Sequence, residues 1–157
     1  MTYPVVMRVI HWLMALMFIP QLAGGWFWLR TMDNADPFKR DALMYHMVVG
    51  VGLSTLMLVR LVLRRTLAHP QNVGLALWVH RALYAGVLLM PVSGFTMVFS
   101  ARLNDIVFAR NGEALPADLA LVTGHWWHGL TALVLTVLIG LHVAGAFKDR
   151  STIRRMI

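Results

Sequence analysis

Two histidines, His128 and His142, stand fourteen residues apart inside an apolar run from Leu119 to Phe147. An ionisable side chain inside such a run is expensive, which makes each one a functional candidate. At about 100° per residue the second ring returns to within ~40° of the first, and at ~1.5 Å per residue the two are separated by about 21 Å along the axis. One helix therefore offers two imidazoles on one face, one near each membrane surface. Two further histidines match those depths: His11 in the first apolar run pairs with His142 by depth, and His46 in the second pairs with His128. Two axial imidazoles per iron is the requirement of a six-coordinate b-type haem. The spacing thus points to two redox centres stacked across a bilayer.

Two plainer explanations compete. Interfacial histidines can simply join helices by hydrogen bonds. A zinc site is the other, but it calls for three or four protein ligands at one depth, and only two stand at each level without recruiting the remaining histidines. His125 competes with His128 for the outer position. Seventeen residues separate it from His142, which leaves the two about 100° apart, so His128 keeps the shared face.

The elements that must position these side chains are membrane spans. The chain has 157 residues, 59% hydrophobic and only 13% charged, with mean hydropathy +0.66. Spans are expected at about 6–29, 42–63, 75–99 and 119–147, each long enough for a bilayer core of roughly 30 Å. The fold class expected is all-α, a four-helix transmembrane bundle in a single domain. Trp12 and the Trp26–Trp28 stretch mark the two interfaces of the first span, Pro20 should kink it, and Gly24-Gly25 permits close approach of a bulky group. The loop 101–118 has room for a short interfacial helix.

Charge sets the expected orientation. Arg8, Arg60, Arg64, Arg65, Arg81, Lys148, Arg150, Arg154 and Arg155 fall on one side with Asp149 as the sole acid. Arg30, Lys39, Arg40, Arg102 and Arg110 fall on the other with the remaining acids. The positive-inside rule makes the first side, with both termini, cytoplasmic. The net charge of +7 is read as topology rather than nucleic-acid binding, because the cations flank apolar runs. The absence of cysteine excludes disulfides, cysteine-ligated iron–sulfur clusters and covalent c-type haem. The first apolar run lacks a small-residue cleavage site and is read as a retained helix. Gly50, one turn beyond His46, would leave room for a flat cofactor, although glycine also serves ordinary helix packing. Arg60 lies at the depth of the inner pair, where a guanidinium can bind a haem propionate or merely mark the cytoplasmic flank.

Ile10-His11-Trp12-Leu13, Tyr45-His46 with Val59-Arg60-Leu61, and Trp127-His128 with Gly140-Leu141-His142 resemble the bacterial cytochrome b561 family. The resemblance extends to His80, to Pro91-Val92-Ser93-Gly94 and to the tail around Lys148-Asp149 and Met156. It implies a dihaem b-type cytochrome of the inner membrane, with His11 paired to His142 and His46 to His128. It also implies a route for electrons from periplasmic superoxide to ubiquinone, as in the superoxide oxidases of the family. The wider superfamily supplies an alternative, a cytochrome b anchor subunit passing electrons between a partner dehydrogenase or hydrogenase and quinone. A third reading is a transporter or metal-binding membrane protein without haem. For the quinone route, His80 and Lys148 are the expected proton and charge sites at the cytoplasmic end. For superoxide, Arg102, Lys39 and Arg40 are the expected steering cations around the outer haem.

Overall fold

A computed structural model describes residues 2–71 and 73–156. Four helices are long and apolar enough to cross a membrane: α1 (Val5–Leu29), α2 (Pro37–Thr66), α3 (Gly74–Ser100) and α5 (His125–Lys148). Two short helices, α4 (Leu103–Val107) and α6 (Arg150–Arg154), complete the described elements with a single 3-10 turn at Leu119–Leu121. The expected all-α transmembrane bundle is thus the fold observed. Large apolar side chains such as Leu16, Ile19, Val62 and Phe147 lie exposed along the outside of the helices. That pattern suits lipid as the surrounding solvent.

The termini and the α2–α3 loop share one end of the bundle. Tyr3 N donates to Arg155 O at 3.1 Å, Tyr3 OH donates to Pro70 O at 3.3 Å, and Trp12 Nε1 donates to Met156 O at 2.9 Å. The other two loops meet at the opposite end. There Asn34 Nδ2 donates to Pro116 O at 2.7 Å, and Arg110 pairs with Asp41 at 2.8 Å. These are called the terminal end and the loop end below.

Element boundaries differ from expectation in three places. α1 passes through Pro20 and changes to a π-helical turn over Gly24–Leu29. A proline without an N–H and two successive glycines weaken the regular i→i−4 ladder there, and a widened turn is one way a helix absorbs that. α2 starts at Pro37, five residues before the expected position. Asp36 caps it by accepting from Phe38 N at 2.9 Å, and Pro37 occupies the first turn. The charged Lys39-Arg40-Asp41 triplet reads as loop in the sequence but is the first turn of a helix that projects past the apolar layer. α5 starts at His125 rather than 119. Gly124 precedes it at φ 96°, a left-handed conformation that breaks the apolar run into a 3-10 turn and a separate helix.

α3 packs along α5 and α2, and α1 packs along α2. The central cluster is Ile10, Met14, Leu53, Met57, Val87 and Leu135. Leu135 is 1% exposed and lies seven residues from both His128 and His142, so it shares their face of α5. It fills the middle of the bundle between the two histidine levels.

Candidate functional site: paired histidines at two depths

The structure brings the histidines into two facing pairs. His46 on α2 faces His128 on α5 near the loop end, with ring centres 6.0 Å apart and planes at 66°. His11 on α1 faces His142 on α5 near the terminal end, also 6.0 Å apart, with planes at 75°. An iron held by two imidazole nitrogens at about 2.0 Å, with about 1.1 Å from nitrogen to ring centre, sets the ring centres about 6.2 Å apart. Both pairs match that separation. His80 touches His142 at 4.9 Å and 89°, too close to share an iron and typical of an edge contact. The two paired histidines on α5 face helices that are not among its closely packed neighbours in the described residues; α3 alone runs tightly along α5. The helices joined by each pair are therefore less closely packed than α3 and α5.

Small residues line both levels. A Cβ at Gly25 would lie 3.6 Å from His46 Cε1, and one at Gly94 would lie 3.6 Å from His128 Cε1. At Gly129 and Gly140 an added Cβ would meet open space. A cavity of about 170 Å³ beside His46 is lined by Pro20, Gly24, Trp28, Leu29, Ala42 and Tyr45. A Cβ at Gly50 would meet Gln21 Nε2 at 3.1 Å, so this glycine lies against α1. Gly25 and Gly94 lie against the rings of His46 and His128.

Polar atoms around the two levels are of the kind a haem edge would use. Arg60 is 6% exposed and donates to Met7 O at 2.9 Å, which places its guanidinium beside the first turns of α1. It lies within electrostatic reach of His11, His80 and His142. Arg8 Nε and Gln21 Oε1 are buried without a partner among the described residues. Gln21 Nε2 donates to His46 O at 2.7 Å, tying α1 to the backbone of α2 at His46. On α3, Ser93 Oγ donates to Met90 O at 3.0 Å and stands 3.0 Å from His128 Nδ1. Arg64 donates to Tyr84 OH at 3.1 Å, joining α2 to α3 on the side of His80. Ser93, Gln21 and Tyr84 were not singled out from the sequence as site residues. Their types are unremarkable in a membrane helix, and only the rotation of each helix decides what they face. Ser93 stands in the Pro91-Val92-Ser93-Gly94 stretch of the resemblance, but nothing in that stretch marks its hydroxyl as the partner of a histidine.

The other expected residues are placed as follows. His125 is the first residue of α5, one turn outside the His46–His128 pair. Lys148 is the last residue of α5 and is exposed, where its charge complements the helix C-terminus. Arg102 is exposed and bonded to Asp105 at 3.0 Å. Arg40 donates to Glu113 O at 3.2 Å. Lys39 corrects an expectation: it is 4% exposed, and its Nζ donates to Met32 O at 2.7 Å and Asn34 Oδ1 at 2.5 Å. It therefore ties the α1–α2 loop and is no surface-steering charge.

Fold and site together define a transmembrane helical bundle with a facing pair of imidazoles at each of two depths. A match to prokaryotic cytochrome b561 runs over residues 2–157, and the chain belongs to that family. It is accordingly a prokaryotic membrane b-type cytochrome of electron transfer, with b-type haem as its cofactor. No curated protein matches the sequence closely enough to count as a relative.

Proposed function

We propose that the chain carries electrons across the bacterial inner membrane through two b haems, from superoxide at the periplasmic face to ubiquinone. The observation that carries this reading is the repeated 6.0 Å separation of facing histidine rings at two depths of one bundle. His46 and His128 would hold one haem and His11 and His142 the other. Bound haem supplies a one-electron iron couple at each level. Two superoxide anions each lose one electron and leave as dioxygen, and the quinone takes both electrons and two protons to leave as quinol. The loop end is then periplasmic, and both termini are cytoplasmic, in keeping with the cation excess at the terminal end.

The chain's own groups divide the remaining work. Arg60, buried near the inner pair, would bind a haem propionate and offset its charge. His80, edge-on to His142, would pass a proton to the quinone, and Lys148 would add positive charge at the same end. Arg102 and Arg40 are the cations at the loop end that can draw a small anion toward the His46–His128 level.

One observation favours the alternative of an anchor subunit for a partner dehydrogenase or hydrogenase. Arg102 is paired with Asp105, Arg110 with Asp41, and Lys39 is buried. Two of the five cations at the loop end are thus paired with acids and a third is buried, which suits a docked protein better than a diffusing anion. Stopped-flow mixing of the oxidised protein with superoxide separates the two. Fast haem reduction at low salt, slower at high salt and slower again in Arg102→Glu, is the result expected, because steered association weakens with ionic strength. Haems that stay oxidised in excess superoxide would overturn the superoxide reading.

A further inference from the structure

We propose that Ser93 is a positioning residue for the outer haem site, fixing the His128 ring with its Nδ1 protonated and lowering the reduction potential of the iron held there. The proposal rests on the reading that His46 and His128 share a haem. Ser93 Oγ lies 3.0 Å from His128 Nδ1 and donates its one hydrogen to Met90 O at 3.0 Å. With the hydroxyl hydrogen assigned to Met90 O, the Oγ lone pairs accept from Nδ1–H, the arrangement that a haem bound through Nε2 requires. The imidazole is then the tautomer whose Nε2 lone pair is free for iron.

The packing leaves the ring little room to turn away. Ser93 is 9% exposed. A Cβ at Gly94 would lie 3.6 Å from His128 Cε1, and one at Gly124 would lie 2.9 Å from Ser93 O. α3 and the start of α5 are thus in close contact at this level. Among the described hydrogen bonds, His11, His46 and His142 have no hydroxyl partner of this kind, so Ser93 distinguishes the outer pair from the inner one. A hydrogen bond from Nδ1–H to an acceptor makes the opposite nitrogen a stronger donor to the metal. A stronger donor favours ferric over ferrous iron. The couple remains a one-electron reduction of ferric to ferrous iron, and the Nδ1 proton stays in place throughout.

The test is a spectroelectrochemical titration of the purified protein, with low-temperature EPR of the ferric state as a second readout. Ser93→Ala removes the acceptor, and Ser93→Cys replaces it with a weaker one of similar size. The expected result is two haems in both variants, an inner potential unchanged, and an outer potential that rises in the order wild type, Ser93→Cys, Ser93→Ala. The outer low-spin ferric signal should shift in the same two variants. Loss of the outer haem from Ser93→Ala, with retention and a raised potential in Ser93→Cys, supports the proposal as well. Two haems with an unmoved outer potential and EPR signal overturn it while leaving the dihaem reading intact. Loss of the outer haem from both variants also overturns it, because a hydroxyl that only joined helices would give that result. A wild-type protein without two separable haem couples removes the dihaem reading itself, and Ser93 with it.

Discussion

Arg60 shows what a single side chain implies when its surroundings are apolar. It is 6% exposed and, among the described residues, bonds to the Met7 carbonyl but to no carboxylate. An unpaired buried charge costs several kcal/mol, so an anionic partner such as a propionate is the economical explanation for a guanidinium kept there. Its positive field would also favour the reduced state of a nearby iron. Replacing it by Arg60→Gln should therefore lower the inner haem potential by roughly 60 mV, a tenfold change in a one-electron equilibrium, and leave the outer potential in place. Potentiometric titration of the variant reads this directly. The four paired histidines were legible in the sequence because helical rise converts residue number into depth. Ser93 and Gln21 were not, because their importance lies in which neighbour each helix rotation presents. Lys39 was legible as a charge but not as a buried tie, since nothing local reveals that Met32 O and Asn34 Oδ1 fold back onto it.

At the level of elements, α5 organises the site and α3 fixes where α5 lies. Gly86 on α3 faces Leu135 on α5, and a Cβ at Gly86 would come within 2.7 Å of Leu135 Cδ2 and 3.1 Å of its Cγ. Leu135 is 1% exposed and packed within the central cluster. Gly86→Ala should therefore push α3 and α5 apart at the centre of the bundle and cost about 1–3 kcal/mol, the usual range for overpacking. Thermal loss of the haem absorbance should occur at a lower temperature in this variant, and Gly129→Ala, where the added Cβ meets open space, should change it less. Span existence was legible from apolar length. The span ends were not: the α2 start hides in a charged triplet, and the α5 start hides in a continuous apolar run that Gly124 interrupts. The π-helical turn at Gly24–Leu29 was likewise invisible beyond its proline and glycines, because the choice among kink, bulge and regular helix depends on what α1 packs against.

For the whole molecule, the cation asymmetry and the two ends of the bundle make one topological claim. The terminal end carries the α2–α3 loop, α6 and the N-terminus, held together by the contacts of Tyr3 and Trp12. Reporter fusions appended to the C-terminus should read cytoplasmic, and fusions in the loop near Asn111 should read periplasmic. The reverse pattern would exchange the donor and acceptor sides. The central claim is that two facing histidine pairs each hold one haem, and the most direct measurement is haem per polypeptide by pyridine haemochrome on purified single variants. Wild type and His125→Ala should hold two haems. His46→Ala and His128→Ala should each hold one, with the same spectrum, and His11→Ala and His142→Ala should each hold one with the other spectrum. A single haem in the wild type, or loss of a haem from His125→Ala with none lost from His128→Ala, would contradict the paired arrangement.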